Sequence, residues 1–164
     1  MRLTLHTDFA FRTLIHLGLR PGVRVPVEDI AAAWRVSGNH LDKVVQRLAQ
    51  AGFIETRRGR GGGLVLARPP GEIRLGDVVR RTEEDLALVA CFGPGGDPCG
   101  DLVGERCVLA GACRLQTALG AALAAFLGVL DRMTLADLLA GGAAEAAAAR
   151  LGLGPVPREA EPGG

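Results

Sequence analysis

Apolar residues recur along this chain in two distinct rhythms, and each rhythm predicts a different kind of element. From residue 7 to 19, Phe11, Leu14, Ile15 and Gly18 return at three- and four-residue steps. A helix is expected there, with Thr7 as N-cap, Asp8 in the first turn where the helix dipole favours an anion, and Arg20-Pro21-Gly22 as terminator. Val27–Trp34 reads as a second short helix opened by Glu28 and Asp29. Ser37 is expected to cap a third, in which Leu41, Val44, Val45 and Leu48 fall at i, i+3, i+4 and i+7 and form one buried stripe. Asn39, Lys43, Gln46 and Gln50 occupy its opposite face, and Gly52 ends it. The rhythm then changes to two short β-prone runs, residues 53–57 and 64–67, joined by Arg58-Gly59-Arg60-Gly61-Gly62-Gly63, which reads as a hairpin with a glycine-rich tip. After Pro69-Pro70-Gly71, the positions of Leu75, Val78 and Val79 predict a further short helix to about Thr82.

Residues 83–111 break the periodicity and read as a Gly- and Pro-rich loop carrying three of the four cysteines. From 112 to about 131, Leu115, Leu119, Ala122, Phe126 and Val129 recur at alternating spacings of three and four, the seam of a helix that pairs with another helix. Packing on the chain's own core fits the same pattern. Two-fold dimers are the usual form of DNA readers of this size, which favours a partner copy. Residues 134–139 read as one more short capped helix, and 141–164 as an Ala/Gly/Pro tail that adds little to the core and is compatible with disorder. The fold expected is mostly α with a small β-wing. It comprises a winged helix-turn-helix over 1–82, a cysteine-rich loop over 83–111, and a dimerisation helix with a short following helix over 112–140.

Composition alters this picture in two places. The 164 residues carry a net charge of only +1, but the charge is divided unevenly. Residues 1–81 hold 14 Arg and Lys against 7 Asp and Glu, while residues 82–164 hold 5 against 11. A cationic N-terminal half suits a polyanion, because neutralising phosphates releases counterions. No run approaches the roughly 18 apolar residues of a membrane span, and the opening MRLTLHTDFAFR lacks a secretory core, so a cytoplasmic protein without a membrane partner is expected. In that compartment four cysteines point to metal or redox chemistry rather than to disulfides.

Recognition helices read base edges from their N-terminal turns, and wings touch backbone or minor groove. Ser37, Asn39, His40 and Lys43 are therefore candidate DNA contacts at the start of the third helix, with Gln46 and Arg47 nearer the phosphates. Asn pairs bidentately with adenine and Lys with guanine. Arg57, Arg58 and Arg60 crowd a tip able to enter the narrow minor groove of an A/T-rich, palindromic double-stranded operator. A nucleotide-phosphate loop is disfavoured because the GKS/T ending is absent and no helix follows. No catalytic constellation is legible: the three histidines are dispersed, and no Ser or Cys has a base beside it in a motif.

The cysteines are spaced Cys91-x7-Cys99-x7-Cys107-x5-Cys113. No pair is CxxC, which disfavours a zinc ribbon or a thioredoxin-like couple. Thiolates spread over a glycine-rich loop suit an iron–sulfur cluster, although Cys99, between Pro98 and Gly100, reads equally as a simple free thiol.

At this point the chain resembles a family, the Rrf-type winged-helix regulators, and within it the NsrR-like nitric-oxide-sensing repressors. The resemblance covers about residues 1–140. It is carried by RLTLHTDFAFRTLIHL, by VSGNHLDKVVQRLAQAGFIETRRGRGGGLVLARPPGEIRLGDVVR, and by ACRLQTAL with the later MTLADLL. It implies a homodimeric repressor whose cluster, most readily 4Fe–4S, is held by Cys91, Cys107 and Cys113, with Asp8 of the partner subunit as fourth ligand. DNA is released when nitric oxide nitrosylates or removes the cluster. Cys99 lies in an insertion and stands as the alternative to Cys91. The sister IscR-like group holds a 2Fe–2S cluster with a histidine three residues after the last cysteine; here that position is Gln116, although His6 lies near enough to Asp8 to remain a candidate. Other readings are an iron- or cluster-status regulator of the same fold, a metal-free thiol switch, and an electron-transfer protein, which leaves the basic half unexplained.

Overall fold

The computed structural model describes residues 2–59, 61–93, 96, 109 and 112–154. Helix α1 (Leu5–Gly18) lies at the centre of the N-terminal body and packs on α2 (Val27–Trp34), α3 (Gly38–Gln50) and α4 (Leu75–Thr82). Strands β1 (Ile54–Arg57) and β2 (Gly63–Leu66) pair antiparallel, Ile54 opposite Leu66 and Arg57 opposite Gly63, and form the wing. Val25 adds a one-residue bridge to Leu64. Gly63 is required at that corner, since a Cβ on it would press within 2.8 Å of the Val25 carbonyl oxygen. The mostly helical winged helix-turn-helix read from the sequence is the fold observed.

The core joins Ala10, Leu14 and Leu17 of α1 to Ile30, to Leu41, Val44 and Leu48 of α3, and to Phe53, Ile54, Leu64, Ile73 and Val78. Of the stripe expected on α3, Leu41, Val44 and Leu48 are buried and Val45 is half-buried. On α1 the buried face is displaced from the one expected: Ala10, Thr13, Leu14, His16 and Leu17 are buried, whereas Phe11 and Ile15 are half-buried. Gly18, at the end of α1, admits Leu139, whose Cδ1 lies 2.5 Å from where a Cβ would stand.

The start of α1 is corrected as well. Thr4, not Thr7, is the N-cap, its hydroxyl accepting from the Thr7 backbone N–H at 3.3 Å. Thr7 is instead buried, and its hydroxyl meets Thr82 at 2.8 Å and Glu83 Oε1 at 2.5 Å. Glu83 Oε1 also accepts from the Thr4 backbone N–H at 2.8 Å and the Thr4 hydroxyl at 3.1 Å. The first turn of α1 is thus fastened to the end of α4 by one carboxyl group.

Helix α5 (Arg114–Asp131) leaves this body with only Leu123 buried, while Leu115 and Val129 are 63% and 50% exposed. Its length and mean hydropathy of 1.2 would also suffice to cross a membrane. Its base is stitched to α4 by the Leu75 N–H on the Met133 carbonyl, 2.9 Å, and the Leu135 N–H on the Ile73 carbonyl, 2.8 Å. Helix α6 (Leu135–Leu138) follows, closed by a capping box between Thr134 and Asp137. Within the segment read as a tail that adds little, residues Ala143–Arg150 form α7, and Ala144 and Ala148 pack on Leu19. Alanine has the highest helix propensity, and its small side chain lets α7 lie close against α1 without large apolar residues.

Candidate functional site

The polar face of α3 is presented outward by the burial of its other side. Ser37, Asn39, His40, Lys43, Gln46 and Arg47 are all exposed; Asn39, Lys43 and Gln46 lie opposite Leu41, Val44 and Leu48, with His40 and Arg47 on the flank and Ser37 at the cap. Ser37 takes the N-cap backbone position but makes no side-chain capping bond, so its hydroxyl is available to a ligand. Arg57 and Arg58 are exposed on the wing, and Arg60 lies outside the described residues. A cleft of about 920 Å³ separates α3 from the wing and is lined by Gln46, Gln50, Arg57 and Arg58. The surface therefore offers two donor-rich ridges with a groove between them. Such an arrangement suits the edges and phosphates of a duplex.

Arg47 is partly committed. Its Nε donates to the Arg81 carbonyl at 2.5 Å, occupying one of the carbonyls left open at the end of α4. Its remaining guanidinium edge faces a second cleft shared with His6, Lys43, Gln46, Glu83 and Glu84. Burial, and then the nearby Arg47 charge, lower the pKa of His6 below its ordinary value. His6 is two residues from Asp8 and so lies roughly opposite it around the helix, at about 100° per residue. It faces the recognition helix and not the Asp8 side.

Asp8 forms a two-point ion pair with Arg12, Nη2 to Oδ2 at 2.7 Å and Nε to Oδ1 at 3.1 Å. The Arg12 guanidinium in turn lies 5.7 Å from the Phe9 ring centre and 5.6 Å from that of Trp34. Phe9 meets His40 of α3 with ring centres 6.2 Å apart. A continuous series of contacts, Asp8 to Arg12 to Phe9 to His40, thus runs from the candidate ligand carboxylate to the recognition helix. The i, i+4 spacing of Asp8 and Arg12 was legible in the sequence; the aromatic pair flanking Arg12 was not, because Trp34 arrives from α2.

Cys91 and Cys113 are free, half-buried thiols, and Cys99 and Cys107 lie outside the described residues. Cys113 stands at the N-cap of α5. Gln116, one turn on, donates from Nε2 to the Cys91 carbonyl at 3.4 Å, which brings the backbone of Cys91 against the first turn of the helix that Cys113 opens. Soft sulfur donors are the kind an iron–sulfur cluster uses, so the described part of the set fits such a group. No cluster of three or more His, Cys, Asp or Glu is assembled among the described residues of this single chain.

A family model described as iron-dependent transcriptional regulator, Rrf2, matches residues 3–141. The chain belongs to the Rrf2 family. Among curated relatives it is 50% identical to the HTH-type transcriptional regulator NsrR of Geobacillus kaustophilus over 140 residues, covering 85% of this chain and 90% of the relative. It is 44% identical to the regulator of the same name from Bacillus subtilis, with the same coverage. Among solved structures, T. potens IscR superposes with a TM-score of 0.65 at 23% identity, over 85% of this chain and 86% of that one. The B. subtilis cysteine regulator CymR gives 0.63 at 22% identity, over 84% and 95%. These two likenesses bear on the fold alone, and the fold they share is the Rrf2 winged helix with its projecting helix.

Proposed function

We propose that this Rrf2-family chain is a homodimeric transcriptional repressor that binds a palindromic, A/T-rich operator and releases it in response to nitric oxide through an iron–sulfur cluster. The observation that carries the reading is the contact series from Asp8 through Arg12 and Phe9 to His40. Those contacts join Asp8 to the exposed start of α3, which supports a coupling between the two.

Cys91, Cys107 and Cys113 would hold the cluster, of 4Fe–4S type, together with Asp8 of the partner subunit. When bound, the cluster supplies iron that reacts with nitric oxide. Asp8 is the hard oxygen donor in a set of soft sulfurs, and therefore the ligand most readily given up. Within its own chain it has a waiting partner in Arg12, which already holds it at two points. Recapture of Asp8 by Arg12 alters the charge beside Phe9 and Trp34, and His40 sits against Phe9. Exposed Leu115 and Val129, with Leu119, Ala122 and Phe126 at steps of three and four between them, form one face of α5 that suits the α5 of a second copy. Such a dimer presents two recognition helices, as a two-fold operator requires.

The test is anaerobic purification with iron and sulfide counting and absorption spectroscopy, followed by binding to DNA selected in vitro before and after nitric oxide. Tight binding by cluster-loaded protein and its loss on nitric oxide treatment are expected. Protein that binds the same DNA equally well without iron would overturn the sensing role. Cys91→Ser should abolish cluster loading and Cys99→Ser should spare it; the reverse outcome assigns the third ligand to Cys99.

A further inference from the structure

Helix α4 carries two adjacent arginines whose bonds run in opposite directions. Arg81 offers its carbonyl to Arg47 of the recognition helix at 2.5 Å. Arg80 reaches the other way and grips the last residue of α5, Nη1 to Asp131 Oδ1 at 2.6 Å and Nη2 to Oδ2 at 2.7 Å. This is the parallel two-point geometry that fixes orientation as well as distance. Each group holds the other's charge: the hydrogen bond to Arg80 lowers the Asp131 pKa, and the bond to Asp131 raises that of Arg80.

The pair is built at a conformational cost. Gly76 sits inside α4, and a Cβ there would collide with Asp131 Oδ1. A glycine in a helix is disfavoured relative to alanine. Here it is what allows the Asp131 carboxylate to lie on the first turn of α4, where the helix dipole favours an anion.

Two attachments follow. The backbone stitch of Leu75 to Met133 and Ile73 to Leu135 fixes the base of α5. Arg80, rooted one turn further on, reaches back to this same end, and its fork on Asp131 adds an oriented side-chain tie beside the backbone one. The backbone stitch alone leaves a hinge; the fork beside it sets an angle. The 18 residues of α5 span about 27 Å, so a tilt of about 10° at the base moves its far end by about 5 Å, more than one base-pair step.

We propose that Arg80, Asp131 and Gly76 are positioning residues that set the half-site spacing this regulator accepts, by fixing the angle between α5 and the α4–α3 unit. The proposal rests on the dimeric, palindrome-binding reading above. It concerns neither the cluster nor any base contact.

Test it with the full-length protein by selecting binding sites from a random double-stranded library, using the wild type and the variants Arg80→Gln, Arg80→Lys, Asp131→Asn and Gly76→Ala. Sedimentation and thermal unfolding are recorded for each. Wild type should return two half-sites at a single separation. The Gln, Asn and Ala variants, still folded and dimeric, should return the same half-site sequence over a range of separations differing by one or two base pairs. Their preference for the wild-type separation should fall by tenfold or more. Arg80→Lys, which keeps the charge but loses the fork, should fall between. Folded dimers of all three variants that keep the wild-type spacing would overturn the proposal. If the wild type is itself a monomer or returns no paired half-sites, the dimeric reading fails instead, a distinguishable result.

Discussion

Glu83 is almost fully buried at 8% exposure and is held by the backbone and hydroxyl of Thr4 and by the hydroxyl of Thr7. Replacing it with alanine leaves those buried donors short of an acceptor, a loss of about 1–3 kcal/mol. Glu83→Ala should lower the urea midpoint accordingly, and amide exchange should quicken first at the start of α1. His16 makes a different prediction. It is 1% exposed, its Nδ1 lacks a hydrogen-bond partner, and burial, reinforced by Arg20 and opposed by Asp29, lowers its pKa below 6.5. The folded chain thus keeps His16 neutral while the unfolded chain takes up a proton below about pH 6.5. Its contribution to stability is complete above that pH and is lost as pH falls through it. Unfolding of His16→Leu measured at pH 7.5 and 5.5 should show a smaller acid loss than wild type; an equal loss would assign the acid sensitivity elsewhere.

Within elements, the proposed function divides DNA binding between α3 and the wing. If the exposed start of α3 carries the base readers, Asn39→Ala should cost about 1–3 kcal/mol on the preferred site and relax selection at one base pair only. Arg57 and Arg58 on the wing are suited to phosphates or to the minor groove. If Arg58 contacts a phosphate, Arg58→Ala should weaken binding to all sequences about equally and reduce the salt slope by about 0.9. Titrations at several salt concentrations on selected and scrambled duplexes separate the two effects. The exposure of these positions was legible in the sequence because the α3 stripe, with Leu41, Val44 and Leu48 inside, leaves the other side of the helix to solvent. The N-cap of α1 was not legible. Thr4 and Thr7 are equally good caps locally, and the choice was made by Glu83, 79 positions away, which occupies the Thr4 backbone.

For the whole molecule, α5 is apolar yet has only Leu123 buried. Leu115→Glu together with Val129→Glu should give a monomer by sedimentation velocity and lower affinity for a paired operator far more than for an isolated half-site; a dimer that survives both changes would place the interface elsewhere. The sequence by itself determined the periodic helices, the hairpin, the outward face of α3 and the division of charge. All of these follow from local spacing, from side-chain polarity and from glycine and proline punctuation. It also determined, through the motifs of its first 140 residues, membership of the Rrf2 family. Only the tertiary structure decided that Thr4 caps α1, that Ala143–Arg150 packs on Leu19, that Trp34 and Phe9 flank Arg12, and that Gly76 admits Asp131 onto α4. Each of these turns on a group distant in sequence: Glu83 for Thr4, Leu19 for α7, Trp34 for Arg12 and Asp131 for Gly76. The energy of such contacts depends on where the backbone brings the groups, and no local pattern records that.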